Sequence, residues 1–443
     1  MVCNMSKVLV IGLGLSGRSA AQFLLRRGHT IIGVDRNWAL LDPEGELKDL
    51  HRAGLKVQHE SEKIDWSGTD LIVVSPGVPP TNPVYQGAVA HSKEIIGELE
   101  LGLRYLKNRA VGITGSNGKT TTTLLIEHVL NHSGHSALAV GNVGLPLTSQ
   151  IDDLLPEQIL VIELSSWQLE TLRTPALDGG AILNITPNHL DRHGTMESYA
   201  KAKINLGACL KSGVHLVVQD QCAEDFSSQL SPFAIVTYGY SKHAELRCDQ
   251  QTVLWHESLE FILPENYRGK VSHDVENMLA AYALCRLFGV TASQFLAAFQ
   301  SFAKPPHRLE FVKESKGIAF YNDSKATSLD AVAKAVTTLG GTTVLIAGGV
   351  HKGSPYTSWK ACLAGKVRHI LAIGEAASLI QQDLHDTFQV EICKDLPEAI
   401  ERAINVAQEG DNVLLSPGCS SYDMFTDYAH RGSEFKRIVH ALT

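Results

Sequence analysis

Residues 114–120 read Thr-Gly-Ser-Asn-Gly-Lys-Thr, directly after the apolar run 110–113. Glycines at two positions let the backbone wrap an anion, a lysine meets the outer phosphates of a nucleotide, and a threonine hydroxyl can ligate Mg²⁺. Gly115, Ser116, Asn117, Gly118, Lys119, Thr120 and Thr121 are therefore candidate ATP ligands, with Lys119 also a candidate catalytic charge. The spacing departs from G-x-x-x-x-G-K-T, because Ile113 stands where its first glycine would fall and Gly112 lies one place upstream. A loop of this kind must also hold its metal, and Mg²⁺ takes oxygen ligands, so carboxylates at the ends of neighbouring strands come next. Glu163 directly follows the apolar run 159–162, where an unpaired carboxylate would be costly to bury. His189, in Asn-Ile-Thr-Pro-Asn-His at 184–189, could bind a metal through a ring nitrogen, although alone it reads as an ordinary helix start. A second glycine motif, Gly-Leu-Gly-Leu-Ser-Gly at 12–17, precedes a helical stretch, and Asp35 ends the next apolar run. That arrangement suits the pyrophosphate of a dinucleotide and equally any other diphosphate-linked nucleotide.

These residues need a scaffold of alternating strands and helices. From Lys7 to Asp35 the order is apolar run, glycine turn, helical stretch, apolar run, the rhythm of a β-α-β unit in a parallel sheet. Residues 71–77 read as a further strand ending in a Pro-Gly turn, and Glu94–Lys107 as a helix, which closes a first domain at 1–98. A larger α/β domain, 99–304, carries strands at 110–114, 137–141, 160–164 and 181–186. Alternation over 244–263 gives it a small antiparallel sheet before a helix at His273–Phe288. Pro305-Pro306 then breaks the chain, and 305–443 forms a third domain with strands near 309–312, 317–323, 342–349, 369–374 and 412–418. The expected fold is three α/β domains: a Rossmann-like N-terminal domain, a central P-loop ATPase domain and a Rossmann-like C-terminal domain.

Composition bounds the partners. Lys plus Arg number 39 against 47 Asp plus Glu, a formal charge of -8, so neither nucleic acid nor an anionic membrane is expected as a partner. Eight cysteines without a C-x-x-C pair suit a reduced compartment, and no run reaches the roughly 18 apolar residues of a membrane span. A cytoplasmic protein, and a monomer, is expected.

The order of the motifs resembles the Mur ligase family over nearly the whole chain. It runs from the loop at 114–122 through Gly-Asn-Val-Gly (141–144), Glu-Leu-Ser-Ser-Trp (163–167), the His189 segment, Tyr-Ala-Lys-Ala-Lys (199–203) and Asn277. Pro-Pro-His-Arg (305–308), Asn-Asp-Ser-Lys-Ala-Thr (322–327) and Ser-Pro-Gly-Cys-Ser-Ser-Tyr (416–422) complete it, the last two resembling the members that add D-glutamate. The resemblance implies an ATP-dependent ligase that joins D-glutamate to UDP-N-acetylmuramoyl-L-alanine in peptidoglycan synthesis. It turns the first glycine motif from a dinucleotide to the UDP substrate, with Leu15, Ser16, Asp35, Arg36, Gly77, Asn142 and His189 as contacts. It implies that Asn277, Arg308 and Asp323 hold ATP, and that Lys325, Thr327, Lys352, Ser421, Tyr422 and Tyr428 receive D-glutamate. Thr120, Glu163, His189 and a carbamylated Lys203 would ligate two Mg²⁺ ions, and Lys119, His189, Lys203 and Arg308 would act in catalysis. The family often carries Phe where Tyr428 stands, and an acidic residue in place of Val350 or His351. A folate polyglutamylating ligase, an NAD-dependent dehydrogenase and a P-loop switch protein are competing readings: the first has no use for the 12–17 loop and Asp35, the second leaves the 114–120 loop, Glu163 and 322–327 without roles, and the third needs no amino-acid acceptor.

Overall fold

Alternating short apolar runs and helices become three sheets in the computed structural model, which describes residues 6–267, 272–303, 305–351 and 355–442. The chain divides into two units: Met1–Ile185 with Ala200–Phe302, and Thr186–Tyr199 with Ala303–Thr443. Lys352 lies outside the described residues.

The first unit holds two sheets. In one, five parallel strands run in the order Lys56–His59, Thr30–Asp35, Lys7–Ile11, Thr69–Val74, Glu94–Gly97. Strand order reverses direction beside Lys7–Ile11, so the turns after this strand and after Thr69–Val74 open a crevice at the carboxyl edge. The glycine loop 12–17 and the turn 75–77 are those two turns. Gly17 is needed there because a Cβ on it would lie 1.9 Å from the Gly12 carbonyl oxygen, where helix Leu15–Arg26 leaves the sheet. The helix expected at Glu94–Lys107 is instead a strand, Glu94–Gly97, followed by helix Glu98–Tyr105. Pairing of Ile95 and Ile96 with Thr69–Val74 overrides the helical pattern of the sequence.

The second sheet has nine strands, with Ala110–Thr114 between Gly179–Ile182 and Ile159–Glu163 and with Ala137–Gly141 at one edge. Beyond Gly179–Ile182 come Leu216–Gln219 and Ile235–Gly239, then the antiparallel strands Leu246–Asp249, Thr252–Trp255 and Ser258–Ile262. The antiparallel excursion expected as a separate small sheet is therefore the far edge of the main one, joined by parallel pairing of Tyr238 and Gly239 with Leu246 and Arg247. Helices Lys119–His132 and His273–Arg286 pack on this sheet, the latter buried along most of its length from Val275 to Cys285, as a helix without a polar face must be.

A buried polar chain ties the two sheets' layers together. Glu98 accepts from the Thr148 amide at 2.6 Å and the Thr148 hydroxyl at 2.7 Å, and Ser19 Oγ lies 2.6 Å from the same hydroxyl. Burial pushes the Glu98 carboxyl up to about 7, against the pull of both Thr148 bonds. A carboxyl whose folded value exceeds its unfolded value near 4.5 binds its proton more tightly when folded. Its stabilising effect is then complete below that unfolded value and is lost as pH rises through the folded one. Glu98→Gln keeps the accepting oxygen and cannot ionise. The melting temperature of the wild type should therefore fall relative to E98Q between about pH 5 and about pH 7.5; parallel melting curves would sink the idea.

The second unit holds a six-stranded sheet in the order Glu310–Ser315, Ile318–Asn322, Asn412–Leu415, Thr343–Gly348, Val367–Ile373, Gln389–Ile392. Its first pair is antiparallel and the remaining pairs are parallel.

Candidate active site

The loop 115–118 follows the strand Ala110–Thr114 and enters helix Lys119–His132 through Gly118 at φ +85°. Only glycine fits, since a Cβ there would lie 2.4 Å from Asn277 Oδ1. Asn277 is thereby brought against the loop. Asn184 laces the loop from the next strand's end: its carbonyl accepts from the Ser116 amide at 2.9 Å, its Oδ1 from the Asn117 amide at 2.8 Å, and its Nδ2 donates to the Asn117 carbonyl at 3.2 Å. From sequence alone Asn184, at the start of the 184–189 segment, is indistinguishable from a turn residue.

Lys119 and Lys203 converge on this loop. Lys119 Nζ donates to the Gly115 carbonyl at 2.8 Å and to the Ser116 carbonyl at 3.0 Å, and Lys203 Nζ donates to the same Gly115 carbonyl at 2.8 Å. Lys203 is 1% exposed, and burial, reinforced by the Lys119 charge and opposed by Cys222 and Glu163, holds its ammonium well below the usual lysine range. A solvated helix lysine is thus excluded. Thr120 is buried at the helix start and Thr121 half-buried beside it.

Glu163 ends the strand adjoining Ala110–Thr114 and is 1% exposed. Its Oε1 accepts from Asn142 Nδ2 at 2.7 Å, while Oε2 is buried without a hydrogen-bond partner. A buried carboxylate oxygen left unpartnered is costly and suits a cation. Oxygen donors of this kind, with the Thr120 hydroxyl, fit Mg²⁺. Among the described residues, no three His, Cys, Asp or Glu side chains cluster as a ready-made metal site.

The crevice of the first sheet gathers the other nucleotide candidates. Asp35 accepts from the Leu13 amide at 2.6 Å and from the Asn37 amide at 3.0 Å, so it anchors the glycine loop rather than standing apart from it. Ser75, which sequence reading passed over, donates to the Gly12 carbonyl at 2.7 Å and joins the 75–77 turn to the loop. Leu15, Arg36 and Gly77 are exposed and Ser16 is half-buried.

In the second unit, His189 takes a left-handed backbone, φ 54° and ψ 35°, at the start of the short helix Leu190–His193. It lines a narrow cavity with Thr327, Ser328, His351 and Tyr356. Lys325 Nζ sits 3.7 Å above the Tyr428 ring, uniting two of the glutamate candidates. Ser421 is buried, and Tyr422 is well exposed. Asp323 accepts from Ser416 Oγ at 2.8 Å and from the Leu309 amide at 3.1 Å. Burial pushes its carboxyl up to about 7, against those bonds and the charge of Arg308. The strongest organiser of these loops is Arg431, in helix Tyr428–His440. Its guanidinium, 1% exposed, donates to Ser324 Oγ at 3.0 Å, the Ser324 carbonyl at 2.9 Å and the Cys419 carbonyl at 3.1 Å.

Comparison with known proteins matches residues 6–97 to a Mur ligase MurD-like N-terminal domain, 113–285 to a Mur ligase middle domain and 307–419 to a Mur ligase glutamate ligase domain. The chain is 48% identical over 436 residues, 98% of each chain, to the UDP-N-acetylmuramoylalanine--D-glutamate ligase of Protochlamydia amoebophila. It is 38% identical over 440 residues to the protein of that name from Solibacter usitatus, covering 98% of each. Among solved structures, the UDP-N-acetylmuramate-alanine ligase of Thermotoga maritima superposes with a TM-score of 0.60 at 19% identity, covering 99% of this chain and 100% of that one. The MurF ligase of the same organism, solved with ADP, superposes with a TM-score of 0.61 at 18% identity over 93% of this chain and 95% of that one. These two likenesses concern the fold.

Proposed function

The chain belongs to the Mur ligase family, and from that membership we infer that it adds D-glutamate to UDP-N-acetylmuramoyl-L-alanine in peptidoglycan synthesis, using ATP and releasing ADP and phosphate. The observation that carries this reading is identity of 48% over nearly the whole length to a ligase of that name.

The substrate carboxylate attacks the γ-phosphorus of ATP, ADP leaves, and the resulting acyl phosphate is opened by the amine of D-glutamate with loss of phosphate and a proton. Two anions must meet in the first step, so the protein mainly neutralises and positions. Lys119 and Arg308 supply positive charge, and the loop 115–121 cradles the phosphates. Glu163 and Thr120 would hold Mg²⁺, which when bound would offset phosphate charge, and His189 with a carbamylated Lys203 would serve a second ion. Asn277 and Asp323 hold the rest of ATP. Leu15, Ser16, Asp35, Arg36, Gly77 and Asn142 hold the UDP substrate, and Lys325, Thr327, Lys352, Ser421, Tyr422 and Tyr428 receive D-glutamate. The domain division 1–98, 99–304 and 305–443, a monomeric state and a cytoplasmic site of action complete the proposal.

Carbamylation has its own support in this chain. A neutral amine is the form that attacks CO₂, and burial beside Lys119 favours that form of Lys203. Turnover of enzyme prepared without CO₂ should rise several-fold on adding bicarbonate. In Lys203→Ala it should stay at least about a hundredfold below wild type whatever the bicarbonate. Insensitivity of the wild type, with no CO₂ adduct on the Lys203 peptide, would remove this part of the proposal.

The deciding experiment measures phosphate release from ATP and Mg²⁺ with UDP-N-acetylmuramoyl-L-alanine and D-glutamate, or with L-glutamate, L-lysine or diaminopimelate in its place. Release that requires both substrates and selects D-glutamate is expected. Selection of another amine would overturn the acceptor assignment, and release indifferent to either substrate would overturn the ligase reading.

A further inference from the structure

An indole offers a large flat apolar face with a polar edge, suited to stacking on another ring. Trp38 is 61% exposed, yet it is not loose. One face lies flat on the ring of His59, with centroids 3.7 Å apart and planes 7° from parallel. His59 is fixed in turn at the end of the strand Lys56–His59, with Nε2 2.9 Å from the Arg36 carbonyl oxygen and Nδ1 2.7 Å from Ser61 Oγ. Asn37 Oδ1 accepts from the Ala39 amide at 3.1 Å and caps the single turn Trp38–Leu41. The indole is thereby backed by a ring that is itself held, on a turn that is itself capped.

Its place is as telling as its rigidity. The carboxylate of Asp35 accepts from the Leu13 amide in the glycine loop and from the Asn37 amide immediately before Trp38. One carboxylate thus ties the aromatic ring to the loop that takes the diphosphate in the proposed function. Beside it in the chain Arg36, Asn37 and Ala39 are exposed while Leu40 turns inward.

We propose that the outward face of Trp38 is a stacking platform for the uracil base of the UDP substrate and makes this residue a determinant of nucleotide affinity. The inference rests on the ligase reading above. A base stacked on a ring already backed by His59 gains contact without having to order the ring first. His59 thus serves the base without touching it.

Trp38→Ala should raise KM for UDP-N-acetylmuramoyl-L-alanine about tenfold, while KM for ATP and for D-glutamate does not move. The dissociation constant of uridine monophosphate, measured by calorimetry, should rise by the same factor, because that probe keeps the base and lacks the sugar and peptide. Trp38→Phe should retain most of the affinity, since it keeps an aromatic face. Unchanged uridine monophosphate affinity in W38A overturns the proposal, as does equal weakening in W38A and W38F, which would signal a disturbed loop instead of a lost stack. If wild type binds uridine monophosphate through Trp38 but does not turn over the muramoyl substrate, the ligase reading fails and the platform stands.

Discussion

Lys119→Ala should lower substrate-dependent phosphate release by about two to three orders of magnitude. The reason lies in what the ammonium faces. It donates to the carbonyls of Gly115 and Ser116, so it sits within the curve of the loop, and its charge is held at the entrance to helix Lys119–His132. In the proposed first step a carboxylate approaches a triphosphate, and a fixed cation at that point acts most strongly when negative charge is being transferred. The loss should therefore fall mainly on kcat. Folding should survive, because Gly118, Asn277 and Asn184 hold the loop without the lysine. Comparing kcat with the dissociation constant of ATP checks this: a K119A enzyme with kcat within threefold of wild type, properly folded, would falsify the assignment of Lys119 to the chemistry.

Arg431→Ala should cost at least about 3 kcal/mol of stability in the second unit and take D-glutamate-dependent turnover with it. The guanidinium is buried and, among the described residues, no carboxylate hydrogen-bonds to it; it is satisfied by the Ser324 hydroxyl and the carbonyls of Ser324 and Cys419, with those of Gly348 and Ser420 at 3.4 Å. Burial pulls its value down to about 10, which still leaves it charged at neutral pH. Truncation removes the donor shared by the carbonyls of Ser324 and Cys419 and loosens the link of 324–327 to 418–421, while the Val350 amide still donates to the Ser420 carbonyl at 2.9 Å. Arg431→Lys should recover only part of the loss, because an ammonium lacks the planar fork that reaches these separate acceptors. Calorimetry of the full chain would resolve it; an unchanged melting profile for R431A would show that the loops support themselves.

Much of this was legible in the sequence because glycine, lysine and strand-length apolar runs impose their geometry locally. The loop 114–120 needs its glycines for backbone reasons alone, and the parallel strands around it show as unbroken apolar runs. Glu163 could be picked out because a carboxylate at the end of such a run has to be doing something. Other features depend on partners distant in sequence. Asn184 looks like any turn residue until the fold sets it 67 positions away against Asn117. Arg431 looks like a surface cation on a helix until three loops close over it. The strand Glu94–Gly97 was hidden because its pairing with Thr69–Val74, not its own composition, decides its state. The strand Lys56–His59 is too short and too polar to announce itself, and Trp38 acquires meaning only through the ring of His59 beneath it.

The lacing of the phosphate loop by Asn184 bears on how nucleotide is captured. The amides of Ser116 and Asn117 already donate to Asn184, so the contacts offered to an incoming anion fall to later amides, at Gly118, Thr120 and Thr121, where a helix start leaves donors without intrahelical acceptors. Because the loop is frozen in advance, little conformational entropy remains to be lost on binding. Association should accordingly follow a single fast phase limited by encounter, and Asn184→Ala should slow that phase and make it biphasic, as a loop that must first find its shape would.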